Sequence, residues 1–177
     1  MGIFGIFKKK AEEPKPQFSH DKADWQWESA LEEYCNRNGI KEEELNLDEL
    51  EEEVETTIWE YAGNHIAFFM IWLIQNDFFN TDELNEEELE LIKEEKIGGV
   101  DFLMNYCDGV FVREFMKDEI LNFVDDYYER DNRYFKDYCE FMEEKMNEVV
   151  LGTRFSWKLY HQFAPVLDRV YEEYQKS

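Results

Sequence analysis

Apolar positions recur at helical spacing along nearly the whole chain, and they are densest in one place. In "GNHIAFFMIWLIQND", Gly63 to Asp77, the run from His65 to Ile74 carries no acidic or basic residue except one histidine. Read at 3.6 residues per turn, Ile58, Tyr61, His65, Phe68 and Trp72 form one stripe and Trp59, Gly63, Ile66, Met70 and Leu73 another. Only Glu60, Asn64 and Gln75 make a narrow polar edge. A helix with so little polar face is buried on most sides, so the pattern predicts a central helix near 57–76, opened by a Thr57/Glu60 capping box.

Amphipathic segments surround it. Trp27, Ala30, Leu31 and Tyr34 predict a helix that Asp24 caps and Gly39 ends; Leu47, Leu50 and Val54 predict another, with an Asn46/Glu49 capping box and acids on its solvent face. Leu89 and Ile92 point inward from an acidic helix stopped by Gly98 and Gly99. "VDFLMNYCDG" reads as a short helix closing in an Asp108-Gly109 turn. From about Val112, the series Phe115, Met116, Ile120, Phe123, Val124, Tyr127 traces a helix, and the series Tyr134, Phe135, Tyr138, Phe141, Met142, Met146 traces the next. Leu159 to Tyr174 trace the last, kinked or restarted at Pro165. Val110 to Val112 is a strand candidate for which no pairing is expected. The fold class is therefore all-α: a single compact domain of about seven helices over 21–177, behind a flexible basic tail at 1–20.

Composition adds an acidic skin to this picture. The formal net charge is −24, yet aromatic residues are 17% of the chain, too many for a disordered polyanion. Beyond residue 20 there are 41 acids against 15 bases, a formal charge of −26. Nucleic-acid binding is disfavoured, because phosphate contacts need a basic cluster. No stable membrane insertion is expected either: a spanning helix needs about 20 apolar residues, and the central run is about half that. In "MGIFGIFKKK" the lysines follow the apolar residues instead of preceding them, unlike a secretory signal, and Ile6 stands where N-myristoylation wants Ser or Thr. The tail reads either as a frayed terminus or as a weak tether to a membrane surface or partner.

Candidate chemistry is sparse. Cys35, Cys107 and Cys139 form no C-x-x-C pair and fit reduced, buried thiols in a cytoplasmic protein. The three histidines, His20, His65 and His161, are out of helical reach of one another, and no H-E-x-x-H or phosphate-loop motif is present. His65 is expected to be a core histidine bonded to a carboxylate or a backbone carbonyl, and neither metal nor cofactor is expected. Carboxylate pairs such as Asp126/Glu129 or Glu140/Glu143 share helix faces and would suit a metal-dependent enzyme, but with 43 acids such pairs arise by chance. "FVDDYYERDNRYFKDY" mixes tyrosine with aspartate, material suited to a protein interface.

The succession "HDKADWQW", "GNHIAFFMIWLI", "LMNYCDG" and "FVDDYYERDNRYFKDY" resembles an uncharacterised family of small acidic bacterial cytosolic proteins, a domain of unknown function similar to proteins found at polymorphic toxin and immunity loci. The resemblance spans roughly Asp21 to Tyr138. It places Trp25, His65, Ile66, Phe69, Trp72, Cys107, Asp108, Gly109, Tyr127, Tyr128, Asp137 and Tyr138 on the family pattern. Gln26 stands where that pattern has His, and Glu28 to Glu55 form an acidic insertion. The resemblance implies a non-enzymatic immunity protein that occludes a basic toxin domain; a carboxylate enzyme and a tail-tethered adaptor are the alternatives. The partner-binding surface is expected at Trp25, Trp27, Asp125, Asp126, Tyr127, Tyr128, Asp131, Tyr134, Asp137 and Tyr138, and His65, Phe69, Trp72, Cys107, Asp108 and Gly109 are expected to form the structural core.

Overall fold

The computed structural model describes residues 19–80, 84 and 86–177. Of the segment read as a tail, residues 1–18 lie outside these, and Ser19 and His20 belong to the fold: they open strand β1, Ser19–Lys22. The chain continues through helix α1 (Trp27–Asn38), α2 (Glu52–Gln75), α3 (Glu86–Lys93), α4 (Gly99–Tyr106), strand β2 (Val110–Val112), α5 (Asp118–Val124), α6 (Arg133–Glu140) and α7 (Trp157–Gln175), with short 3-10 and π turns between them. It is mostly helical, as the apolar spacing predicts.

Helix α2 is the axis of the domain. Its 24 residues span roughly 36 Å, and every residue from Tyr61 to Ile74 is buried, with α1, α4 and α7 packed around it. It begins earlier than predicted. Nothing between Val54 and Thr57 breaks the helix, and the Thr57 hydroxyl donates back to the Glu53 carbonyl (2.7 Å) instead of capping a new start. The separate helix expected near Asn46 is reduced to a 3-10 turn at Leu47–Glu49, in which Leu47 is exposed. Asp24 caps nothing; it sits inside a 3-10 turn at Ala23–Gln26. Gly39 does end α1, in the left-handed region at φ 63°, where the Ile40 N–H reaches the Cys35 carbonyl. Helix α3 stops short of the glycine pair because Glu95 turns left-handed (φ 56°) and the Lys96 N–H closes on the Leu91 carbonyl.

Helix α4 lies close against α2, and Gly99 permits the approach. A Cβ there would overlap the Ile71 side chain and stand 2.9 Å from the Phe155 ring and 3.2 Å from the Ala67 Cβ. Ile71 could rotate, but an alanine and a packed ring have little room to give. Gly99→Ala is expected to lower stability by about 1–3 kcal/mol, read as a lower urea midpoint with an unchanged slope.

Strands β1 and β2 pair antiparallel, with Lys22 opposite Val110 and Ser19 opposite Val112, which corrects the expectation that Val110–Val112 stays unpaired. Helix α7 runs through Pro165. That residue is exposed, so the carbonyl one turn back, which loses its N–H donor, faces the solvent side of the helix. Among the described residues no helix is long and apolar enough to cross a membrane.

Candidate functional site

The tyrosine-rich segment does not form the expected surface. After α5 the helix widens into a π turn at Asp125–Glu129, which brings the adjacent Tyr127 and Tyr128 to the same interior. Asp131 and Asn132 then both take left-handed φ, 61° and 52°, and turn α6 back so that Tyr134 and Tyr138 face α2. All four rings are buried, at 1%, 7%, 1% and 0% exposure, so none is a surface anchor. Tyr128 and Tyr134 stack at 4.8 Å, and both lie within 5 Å of the Phe69 ring centroid.

The aspartates of the segment are mostly engaged within the chain. Asp125 pairs with Arg113, Asp126 with Arg130 (2.7 Å), and Asp137 accepts a hydrogen bond from the Tyr127 hydroxyl (2.7 Å). Asp131 is exposed on the turn. Trp25 is 57% exposed, whereas Trp27 is half-buried with its ring 4.2 Å from that of Trp59. Phe69, Trp72, Cys107 and Gly109 are buried; burial pushes the Cys107 thiol up, away from nucleophilic chemistry. Asp108, expected in the core, is exposed: it takes φ 53° in the turn that leads into β2, a conformation aspartate tolerates better than most residues.

Beside the tyrosine cluster is a pocket that the sequence reading did not identify, of about 260 Å³. Strand β1 contributes His20 and Asp21, α2 contributes His65, and the π turn contributes Tyr128 and Glu129. Trp25 stands at the rim. His65 Nε2 lies 3.1 Å from Asp21 Oδ2, and the Tyr128 hydroxyl donates to the same oxygen at 2.8 Å; the Lys22 N–H donates to Oδ1 at 2.8 Å. Because a carboxylate only accepts, His65 Nε2 carries the proton in this pair. His65 Nδ1 is buried and has no partner, while its backbone carbonyl accepts from the Tyr134 hydroxyl. On the other side His20 Nδ1 lies 2.5 Å from Glu129 Oε1. These contacts join residues 44, 107 and 109 positions apart, so no local spacing announces them. Asp21 does stand in "HDKADWQW", but its partners are invisible from there.

Burial pushes the Asp21 carboxyl up, but the His65, Tyr128 and Lys22 hydrogen bonds outweigh it and hold the group below the usual carboxylate range. The stabilisation is therefore complete above the unfolded value of about 3.9 and is lost as pH falls through the lower folded value. Asp21→Asn is expected to cost about 1–3 kcal/mol at neutral pH. In paired urea titrations the deficit against the parent chain should shrink below pH ~4; a deficit constant down to strong acid would contradict the assignment.

A second concavity, of about 390 Å³, lies between α2 and α4. Trp59, Val100 and Met104 form its apolar part, and Glu52, Glu55, Glu60 and Asp101 stand around it. Trp27, packed on Trp59, braces this wall. Burial first, and then the neighbouring Glu60, push the Asp101 carboxyl up against the opposing effects of the Gly98 N–H and Arg154. Among the described residues no three His, Cys, Asp or Glu side chains converge as metal ligands.

No curated protein and no solved structure matches the chain. One family model does, and it runs from the first residue of β1, through the His20–Glu129 and His65–Asp21 pairs and the buried Tyr127, Tyr128, Tyr134 and Tyr138, to residue 151. With most of its length inside that match, the chain belongs to DUF7832, a domain of unknown function.

Proposed function

We propose that this domain is a non-enzymatic binding protein for a basic protein partner, of the immunity type, which occludes a toxin domain in the bacterial cytoplasm. The groove between α2 and α4 carries the reading. An apolar floor of Trp59, Val100 and Met104 beside Glu52, Glu55 and Asp101, with Glu60 held by Arg154, is complementary to a segment presenting apolar residues among lysines or arginines. The wider surface acts in the same direction: Arg37, Lys93, Arg113, Arg130 and Arg154 each sit on a carboxylate of the chain itself, leaving a large surplus of acids to steer a cationic partner. Against catalysis by the histidine–aspartate pair stands its geometry, since His65 has one ring nitrogen on Asp21 and the other buried. The groove and the exposed Trp25 take over the anchoring role expected of the buried tyrosines.

Co-expression with the toxin of the same locus tests this. The parent chain should protect cells, and the purified pair should associate at low salt with an on-rate that falls steeply as salt rises. A variant carrying Trp59→Ala and Glu55→Lys should stay folded and lose at least about tenfold in affinity. Absent protection, or undiminished binding by the folded variant, would sink the proposal.

A further inference from the structure

We infer that the pocket at His20, Asp21 and Glu129 is a receptor site for one small organic cation, a guanidinium or alkylammonium group. The inference does not depend on the groove or its partner. Its first support is charge. Asp21 and Glu129 both line the pocket, and among the described residues no lysine or arginine does. The network around Asp21 favours its ionised form, so the anion is permanent at neutral pH.

The second support is unused acceptor capacity. A carboxylate offers about four lone-pair positions; Asp21 uses three, two on Oδ2 and one on Oδ1, and Glu129 has a second oxygen beyond the one at His20. The side-chain amides of Gln26 and Asn132 add neutral groups that can accept or donate. A planar guanidinium or an ammonium supplies donors and no acceptor, the complement of this set.

The walls fit the same ligand. Tyr128, Tyr134 and Phe135 are aromatic, and Trp25 offers an exposed ring at the mouth. The chain's own Lys22 ammonium sits 5.7 Å from the Trp25 centroid, so a ligand cation at this ring shares it with Lys22 or displaces it. A volume of about 260 Å³ holds roughly eight or nine waters' worth of ligand, enough for a guanidinium with a short alkyl stem. The π turn delivers Glu129 to the pocket, and the left-handed Asn132 lines it.

Such a group could come from a free polyamine-like molecule or from an arginine or lysine side chain of another protein. The full-length chain should be titrated with agmatine, butylammonium and N-acetyl-argininamide, with urea as a neutral planar control, following the Trp25 indole resonance and the melting temperature. The cations are expected to saturate at millimolar concentrations or below and raise the melting temperature, and urea to do neither. Glu129→Gln, on a partly exposed side chain, should fold normally and weaken cation binding about tenfold; Asp21→Asn should weaken it at least as much. Tighter binding of the doubly capped arginine points to a protein side chain, and tighter binding of agmatine to a free molecule. No saturable response, equal binding of urea, or unchanged affinity in folded Glu129→Gln would each overturn the inference, whether or not the groove proves to bind a partner.

Discussion

A chain ending at Gly152 is expected to lose cooperative folding, although it would contain the whole family match. Helix α7 begins after that match and closes the core over α2. Leu159, Tyr160, Phe163 and Leu167 are buried at 7%, 3%, 0% and 0% exposure. Phe68, in the middle of α2, has three of its ring neighbours, Phe155, Tyr160 and Phe163, in the removed segment. Trp72 would lose the Tyr171 ring and the Asp168 carboxylate that accepts from its indole at 2.8 Å, and Asn64 would lose the Thr153 carbonyl. At about 1.5–3 kcal/mol for each large apolar side chain, the four buried residues alone contribute about 6–12 kcal/mol, against a typical total of about 5–15 kcal/mol. The truncated chain should therefore show no cooperative melt and should bind dyes that report exposed apolar surface. Leu167→Ala, a milder probe, should cost about 2–5 kcal/mol and leave the transition cooperative. A truncated chain melting within a few degrees of the parent would show that α7 is an appendage.

The central helix was legible because its signal is local: a long apolar run, stripes on several faces and no room for a solvated side. Gly39 as a helix end was legible for the same reason. What could not be read are the pairings between distant segments. Strand β2 found its partner in a strand that straddles the end of the stretch read as tail, and His20, Asp21, His65 and Glu129 meet only after the chain has folded around α2. The tyrosines illustrate a subtler limit. A regular helix with one core stripe aims Tyr127 and Tyr128 about 100° apart, so a 3.6-residue period assigns the surplus to the surface. The π turn and the left-handed pair Asp131–Asn132 change that period, and the surplus is absorbed by one stacked cluster over Phe69. The acidic surface was legible as composition, but the groove that concentrates it needed the packing of α4 on α2.

That cluster also sets the response to alkali, expected to be abrupt. Burial pushes Tyr127, Tyr128, Tyr134, Tyr138 and Tyr160 above the ordinary tyrosine range, and nearby acids add to it: Asp137 for Tyr127, Asp21 for Tyr128, and Asp168 for Tyr160. The geometry explains the direction. Tyr127, Tyr128 and Tyr134 each donate to an oxygen, that of Asp137, Asp21 or the His65 carbonyl, and a phenolate would set negative charge against that acceptor. For an acid whose folded value is raised, the unfolded chain releases its proton first, so stability is intact below pH ~10 and falls above it. Each such tyrosine contributes a slope of at most about 1.4 kcal/mol per pH unit, and five acting together at most about 7. A domain of ordinary stability should then unfold within about one to two units above pH ~10, helped by lysine deprotonation in a chain already carrying −24. Half of the 10 tyrosines should stay protonated in the native state and ionise together with the loss of circular dichroism, giving a step in tyrosinate absorbance steeper than a single-site titration. Tyr138→Phe separates this effect from general charge repulsion. Its hydroxyl is buried beside Asn64 without a well-formed hydrogen bond, so the variant should match or exceed the parent's stability at neutral pH and unfold at higher pH with a shallower step. Smooth ionisation of all ten near pH ~10 with the fold intact would place these rings at the surface after all.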